Sequence, residues 1–166
     1  KYTHIIIDQS NKLNQHIEKI LAVAKSDNTP LVLNKIQLNV LPILESVIEN
    51  IKLKHPETQI EIKTDLASIT IEADEFHFTN LVYNLLDNAI KYCENKPEIS
   101  IAIAKIGKHL QLNFTDNGIG ISPKNIPFVF DKFYRVPSQK SNEVTGFGLG
   151  LYYVKKICDL HQWKIT

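Results

Sequence analysis

The chain has 166 residues, 43% of them hydrophobic and 22% charged, with a formal net charge of +1. That length and apolar content can bury a sizeable core and point to one globular domain plus an appendage, while the near-neutral charge offers no basic field for nucleic acid. No apolar run is long enough to span a bilayer and no signal-like segment opens the chain, which starts inside a helical pattern and reads as a piece of a longer protein.

Ile6, Ser10, Leu13, Ile17, Ile20 and Ala24 alternate by four and three, the seam of a helix that packs lengthwise against other helices. Asp27-Asn-Thr-Pro30 ends it, so a linker is expected near residues 25 to 33, with a new domain beginning there. Leu41, Leu44, Val47, Ile48 and Ile51 predict a second helix that stops near His55-Pro56. Gln59 to Thr64 alternates as a strand, and Ile69 to Glu72 gives another short one. Asp74 is placed to N-cap a third helix running to about Cys93. Ile99, Ile101 and Ile103, then Leu110, Leu112 and Phe114, alternate on either side of Gly107-Lys108, a hairpin pattern. A last helix takes Leu151, Val154, Ile157 and Cys158 as its apolar positions. Cys93 and Cys158 lack CxxC spacing and sit in helical patterns, so buried or half-buried free thiols in a reducing compartment are expected.

The third helix carries the most information. Phe78, Leu81, Val82, Leu85, Leu86 and Ala89 fill one face, and Leu81, Val82 and Leu85 are expected in the core. Asn80, Asn84, Asp87, Asn88 and Lys91 fall together on the other, although asparagine is a poor helix former that a merely solvated face would seldom choose repeatedly. An amide oxygen is a hard neutral ligand suited to Mg²⁺ and its NH₂ can donate to phosphate, so this face reads as one wall of a Mg²⁺-nucleotide site. A polar stripe on a half-buried helix explains the same residues equally well.

Two glycine-rich stretches follow. Asp116-Asn-Gly118-Ile-Gly120-Ile121 continues the second hairpin strand, where glycines let the backbone approach a ligand and Asp116 can accept a hydrogen bond from an exocyclic amine. An ordinary Asn-Gly turn is the alternative. Gly146-Phe-Gly148-Leu-Gly150-Leu151 lies at the mouth of the last helix, where bare N–H groups and the helix dipole favour an anion, although close packing also accounts for glycines there. Val136 to Thr145 between them is polar and aperiodic, a lid pattern. Against eighteen lysines the chain has a single arginine, Arg135.

In order, Asn84 to Tyr92, Asp116 to Gly120, Phe128-Val-Phe130-Asp-Lys-Phe133-Tyr-Arg135 and Gly146 to Gly150 closely resemble the N, G1, F and G2 boxes of bacterial sensor histidine kinases. The resemblance covers roughly residues 35 to 166 and implies an α/β fold, a two-layer α/β sandwich of the Bergerat type, with a mixed sheet covered on one face by helices. It implies ATP and Mg²⁺ as cofactors, with Asn88 the metal ligand and Asn84, Lys91 and Arg135 the catalytic contacts to phosphate. Tyr92 would lie against adenine or ribose, and Asp116 would hold the adenine N6 amine above Gly118, Gly120 and Ile121. Gly146, Gly148, Leu149 and Gly150 would hinge the lid and line the phosphate site, with Phe130 and Phe133 anchoring it. For Phe128 and Phe130, core packing is an equal expectation.

By the same resemblance residues 1–27 form the end of the helical hairpin for dimerisation and phosphotransfer, a coiled-coil-like arm, and residues 28–166 the catalytic ATP-binding domain. The implied partners are ATP or ADP, the parent's own phosphotransfer domain, a second copy in a homodimer and a response-regulator receiver domain. The expected location is cytoplasmic, with membrane contact only through parent segments outside this sequence, such as an inner-membrane anchor. None of His4, His16, His55, His77, His109 or His161 stands in the H-E-x-x-[ND]-P context of the family's acceptor, so none is assigned a catalytic role. The family usually continues His-Gly-Gly and two strands after the last helix; here His161-Gln-Trp163 replaces the glycines, and a sheet edge is expected to lie outside this sequence. A gyrase, mismatch-repair or chaperone-type ATPase would need a carboxylate where Asn84 stands. A degenerate kinase acting as a nucleotide-gated interaction module is the other alternative.

Overall fold

The computed structural model describes residues 31–136 and 147–166; the expected N-terminal helix, most of the linker, the lid beyond Val136, and Gly146 lie outside the described residues. The chain divides into two compact units, Lys1–Leu33 and Asn34–Thr166, and the second holds every element described below.

Strand β1 (Ile36–Asn39) leads directly into helix α1 (Val40–Lys54), whose N-cap Asn39 accepts the Leu41 N–H on its side chain. Strands β2 (Gln59–Lys63) and β3 (Thr70–Ala73) follow, then helix α2 (Glu75–Lys91). The hairpin β4 (Glu98–Ile106) and β5 (His109–Asp116) pairs Ile106 with His109 across a two-residue turn in which Gly107 takes φ +60. A short 3₁₀ turn (Ile126–Phe128) and helix α3 (Gly150–Leu160) complete the unit.

The described strands make two sheets rather than one: β1 pairs antiparallel with β3, and β2-β4-β5 forms the larger sheet, mixed as expected, with β2 parallel and β5 antiparallel to β4. Along β4 the alternate residues Ile99, Ile101 and Ile103 are buried. Leu44 of α1, Val82 and Leu86 of α2, Ile101 of β4 and Val154 and Ile157 of α3 are fully enclosed, so the core lies between the helical layer and one face of the larger sheet. Leu81 and Val82 are core as expected, whereas Leu85 is only half-buried. Cys158 is buried and its thiol is pushed up to about 11 by burial, then by Asp159, so it is inert; Cys93 is a half-buried free thiol.

A polar network fastens α2 to the chain beyond α3. Asp74 caps α2, its Oδ1 accepting the His77 N–H at 3.0 Å and its Oδ2 the Asn34 N–H at 2.8 Å. Burial opposes the Asp74 charge, but these donors outweigh it and hold the carboxyl below its usual range. The Asp74 N–H donates to His161 Nε2 at 3.1 Å, while His161 Nδ1 lies 2.8 Å from the Ile157 carbonyl. That pair of contacts fits the neutral ring with its proton on Nδ1, and burial pushes the imidazole below its ordinary value. His77 Nδ1 lies 2.8 Å from the Tyr153 hydroxyl, and Trp163 stacks on His161 with centroids 4.2 Å apart. These two histidines are structural.

Helix α3 ends in a Schellman turn, with Trp163 N–H on the Cys158 carbonyl at 2.8 Å and Gln162 N–H on Asp159 at 3.0 Å. Gln162 therefore sits at φ 60, the left-handed position that glycine occupies at least cost.

Candidate functional site

Helix α2 supplies the first wall. Asn84 is 3% exposed, and its Nδ2 donates to the Asn80 carbonyl at 2.6 Å, which consumes one amide proton in the helix and leaves Oδ1 to face Gly150. A Cβ built on Gly150 would stand 3.3 Å from Asn84 Oδ1 and 3.7 Å from Asn88 Nδ2. The first residue of α3 thus lies against the α2 amides, where an added Cβ would be in tight contact with Asn84. The cap position of α3 is Leu149, which is buried and makes no side-chain cap hydrogen bond to the N–H groups of the first turn. Two neutral amides converge with a helix N-terminus whose cap side chain makes no hydrogen bond, a combination that suits an anion with its counter-cation.

Lys91 extends the same face, but its Nζ is paired with Asp87 Oδ2 at 2.5 Å. A partly exposed i,i+4 pair of this kind is worth only about 0.3–0.5 kcal/mol, so exchange of Asp87 for an incoming phosphate is cheap. Asn80 instead returns its Nδ2 to the Phe76 carbonyl at 3.0 Å.

The second wall is the turn after β5. The Tyr92 carbonyl at the end of α2 accepts the Ile119 N–H at 3.0 Å, and Asp116 Oδ1 accepts the Gly118 N–H at 2.8 Å. A Cβ on Gly118 would stand 2.7 Å from Asp116 Oδ1 and 2.9 Å from the Tyr92 carbonyl oxygen, so this turn presses on α2 too closely for any other residue. Oδ2 of the exposed Asp116 carries the lone pairs open to an external donor. Tyr92 (40% exposed), whose carbonyl receives this turn, and Ile121 (46%), which follows it in the chain, are exposed, and Gly120 takes φ +69.

The third piece is the junction of the aromatic stretch with the last glycine loop. Phe133 N–H donates to the Gly148 carbonyl at 3.1 Å, and Lys132 Nζ lies 5.8 Å from the Phe133 ring centroid. Phe130 and Arg135 are half-buried here. Phe128 does not join the core: it is 48% exposed and tilts against Tyr134, because its short 3₁₀ turn runs over the surface with no buried residue.

The structure therefore brings Asn84, Asn88, Leu149 and Gly150 together, clusters Tyr92, Asp116 and Gly118, and ties Phe133 to Gly148. Asn117, absent from the residues picked out in the sequence, bonds both Lys96 and Glu98. Its only signal was its place between Asp116 and Gly118. No cluster of three or more His, Cys, Asp or Glu side chains suited to a metal occurs among the described residues, and no described helix is long and apolar enough to cross a membrane.

Residues 73–166 match the family described as histidine kinase-, DNA gyrase B-, and HSP90-like ATPase. The chain is 38% identical over 168 residues to sensor protein RprX of Bacteroides fragilis, an alignment that covers 97% of this chain and 32% of that one. The chain spans about a third of the length of the curated relatives it matches. Among solved structures it resembles the mycobacterial sensor histidine kinase MprB, with a TM-score of 0.67 and 24% identity over 77% of this chain and 80% of that one. It also resembles histidine kinase ThkA in complex with response regulator protein TrrA, with a TM-score of 0.62 and 22% identity over 81% and 40% of the two chains. The chain belongs to the histidine kinase-, DNA gyrase B- and HSP90-like ATPase family, as the ATP-binding catalytic domain of a sensor histidine kinase.

Proposed function

We propose that this domain binds Mg²⁺-ATP between α2, the turn after β5 and the N-terminus of α3, and transfers the γ-phosphoryl group to a histidine of its parent's dimerisation domain. The observation that carries the reading is the approach of Gly150 to the Asn84 and Asn88 amides, which sets hard neutral oxygens beside an uncapped helix N-terminus. Mg²⁺ usually keeps several waters and takes one or two protein oxygens besides the phosphates, so amide ligands suffice and a cluster of carboxylates is not required. Asn88 is the ligand we assign to it; an ion held there would neutralise phosphate charge.

The remaining roles belong to this chain's own side chains and backbone. Asn84 and Lys91 orient the phosphates, Lys91 by leaving Asp87, and Arg135 meets the charge that develops at the γ-phosphate. Leu149 and Gly150 present their N–H groups to the phosphates, while Gly146 and Gly148 hinge the stretch 136–145 that serves as the lid. Asp116 accepts from the adenine N6 amine, Tyr92 and Ile121 flank the base, and Gly118 and Gly120 let the backbone reach it. Phe133 anchors one end of the lid. The parent works as a cytoplasmic-facing homodimer and relays the phosphoryl group to a receiver-domain aspartate; the ThkA–TrrA structure supports a response regulator as the partner.

Labelled ATP tests this reading. The chain should take up essentially no acid-labile phosphate itself, since none of its six histidines has an acceptor context. It should label a separately supplied phosphotransfer domain of its parent slowly, because loss of the tether lowers effective concentration without removing the chemistry. Asn88→Ala should abolish that transfer; robust self-labelling, or transfer by Asn88→Ala at the parental rate, would overturn the assignment.

A further inference from the structure

The ladder between β4 and β5 ends at the pair Ile99–Asp116, yet hydrogen bonding continues beyond it through one side chain. Asn117 Oδ1 accepts the Glu98 N–H at 3.0 Å, and Nδ2 donates to the Lys96 carbonyl at 3.0 Å. The Cys93 thiol also lies 3.3 Å from Asn117 Oδ1. A carboxamide carries the same donor and acceptor as a peptide unit, so the Asn117 side chain gives the Glu98 N–H the acceptor that a backbone rung would have supplied and adds a donor to Lys96. The backbone is thereby released from the sheet one residue early. It turns at once, with Gly118 N–H on Asp116 Oδ1 and Ile119 N–H on the Tyr92 carbonyl. A single residue thus clasps the connection between α2 and β4 to the turn that carries Asp116.

We propose that Asn117 is a positioning residue for base recognition: its side-chain rung fixes the turn that aims Asp116 Oδ2 at the edge of a bound purine. This rests on the adenine reading of Asp116. Asn117 touches no base itself. Its contribution is to reduce the number of orientations that the carboxylate samples before the nucleotide arrives, which raises affinity only for a ligand that uses that carboxylate. Adenine offers an N6 donor there, whereas guanine presents an O6 acceptor and gains nothing from the aimed oxygen. Serine or aspartate at this position could not reproduce both halves of the rung.

The test is calorimetric titration of ADP and GDP, each with Mg²⁺, into the whole chain and into Asn117→Ala, Asn117→Asp and Asp116→Ala. Fluorescence of Trp163, the single tryptophan, reports that each variant retains the core in which that ring stacks on His161. The expected result for Asn117→Ala is about a tenfold loss of ADP affinity with GDP affinity unchanged, so that the preference for adenine falls by the same factor. Asn117→Asp keeps the acceptor for Glu98 and loses the donor to Lys96, so it should fall between parent and alanine variant. Loss of fold alone would lower the bound fraction for both nucleotides and leave their ratio intact, and if Asn117→Ala does not fold, Asn117→Asp carries the comparison. An unaltered ADP-to-GDP ratio in folded Asn117 variants, while Asp116→Ala lowers it, overturns the role of Asn117 and spares that of Asp116. Equal binding of ADP and GDP by the parent chain overturns both.

Discussion

Phe133 and Gly148 hold φ values of 66 and +68, and the N–H of the first donates to the carbonyl of the second at 3.1 Å. The two ends of the stretch that separates the aromatic motif from the last helix are therefore joined. Gly148 permits this in two ways. Its backbone is left-handed, and a Cβ there would stand 2.7 Å from both the Phe133 carbonyl carbon and the Tyr134 carbonyl oxygen. Gly120 is left-handed as well, with nothing within 4 Å of an added Cβ.

The contrast separates strain from collision. Gly120→Ala should cost about 1 kcal/mol for its backbone conformation alone. Gly148→Ala should cost roughly 3 kcal/mol, because overpacking against backbone adds to the same strain. Urea unfolding of both variants checks this; equal losses would mean that the Phe133–Gly148 contact does not constrain the chain.

At the far end of α3, Gln162 occupies the left-handed position of the Schellman turn. Gln162→Gly should raise stability by about 1 kcal/mol, since the side chain's steric cost disappears while both closing hydrogen bonds are made by backbone groups. A lower denaturation midpoint would show that the Gln162 side chain contributes contacts worth more than its strain.

Stability should also fall on acidification in two stages. The folded state favours neutral His161, so its imidazole titrates below the ordinary 6.5 and the unfolded chain takes up the proton first. That contribution is whole above pH 6.5 and is lost as pH falls below it. Asp74, held below its ordinary 3.8, adds a second loss as pH falls through that value. His161→Ala should destabilise by about 1–3 kcal/mol, leaving the Asp74 N–H without its buried acceptor, and should flatten the upper stage. Melting curves recorded across this range check both stages; an upper stage as steep in His161→Ala as in the parent would assign it to another group.

Much of this was legible from periodicity and caps. The apolar rows of α1, α2 and α3, the Asp74 cap and the Gly107-Lys108 hairpin turn are local features, and each stands where its pattern places it. β1 escaped because one buried residue, Leu38, in a four-residue strand gives no period to read, and its partner β3 lies some thirty residues on. The approach of Asn84 to Gly150 follows from packing of two helices that no local pattern reports. Phe128 misled through composition: an aromatic residue beside Phe130 reads as core, yet its turn lies on the surface. Asn117 stayed hidden because its partners, Lys96 and Glu98, are reached through their backbone groups, which carry no sequence signature.

The central claim is that the α2 amides and the N-terminus of α3 hold Mg²⁺-ATP, and calorimetric titration of ATP into the parent chain and Asn88→Ala, with and without Mg²⁺, tests it most directly. Mg²⁺ should tighten ATP binding by the parent at least tenfold and have little effect on Asn88→Ala, since one lost charge-assisted contact is worth about 1.5–3 kcal/mol. Asn88→Ala should remain folded, because Asn88 is only half-buried and lies off the apolar face of α2. An Asn88→Ala variant with the full Mg²⁺ enhancement, or a parent chain that binds ATP equally with and without the ion, would contradict it.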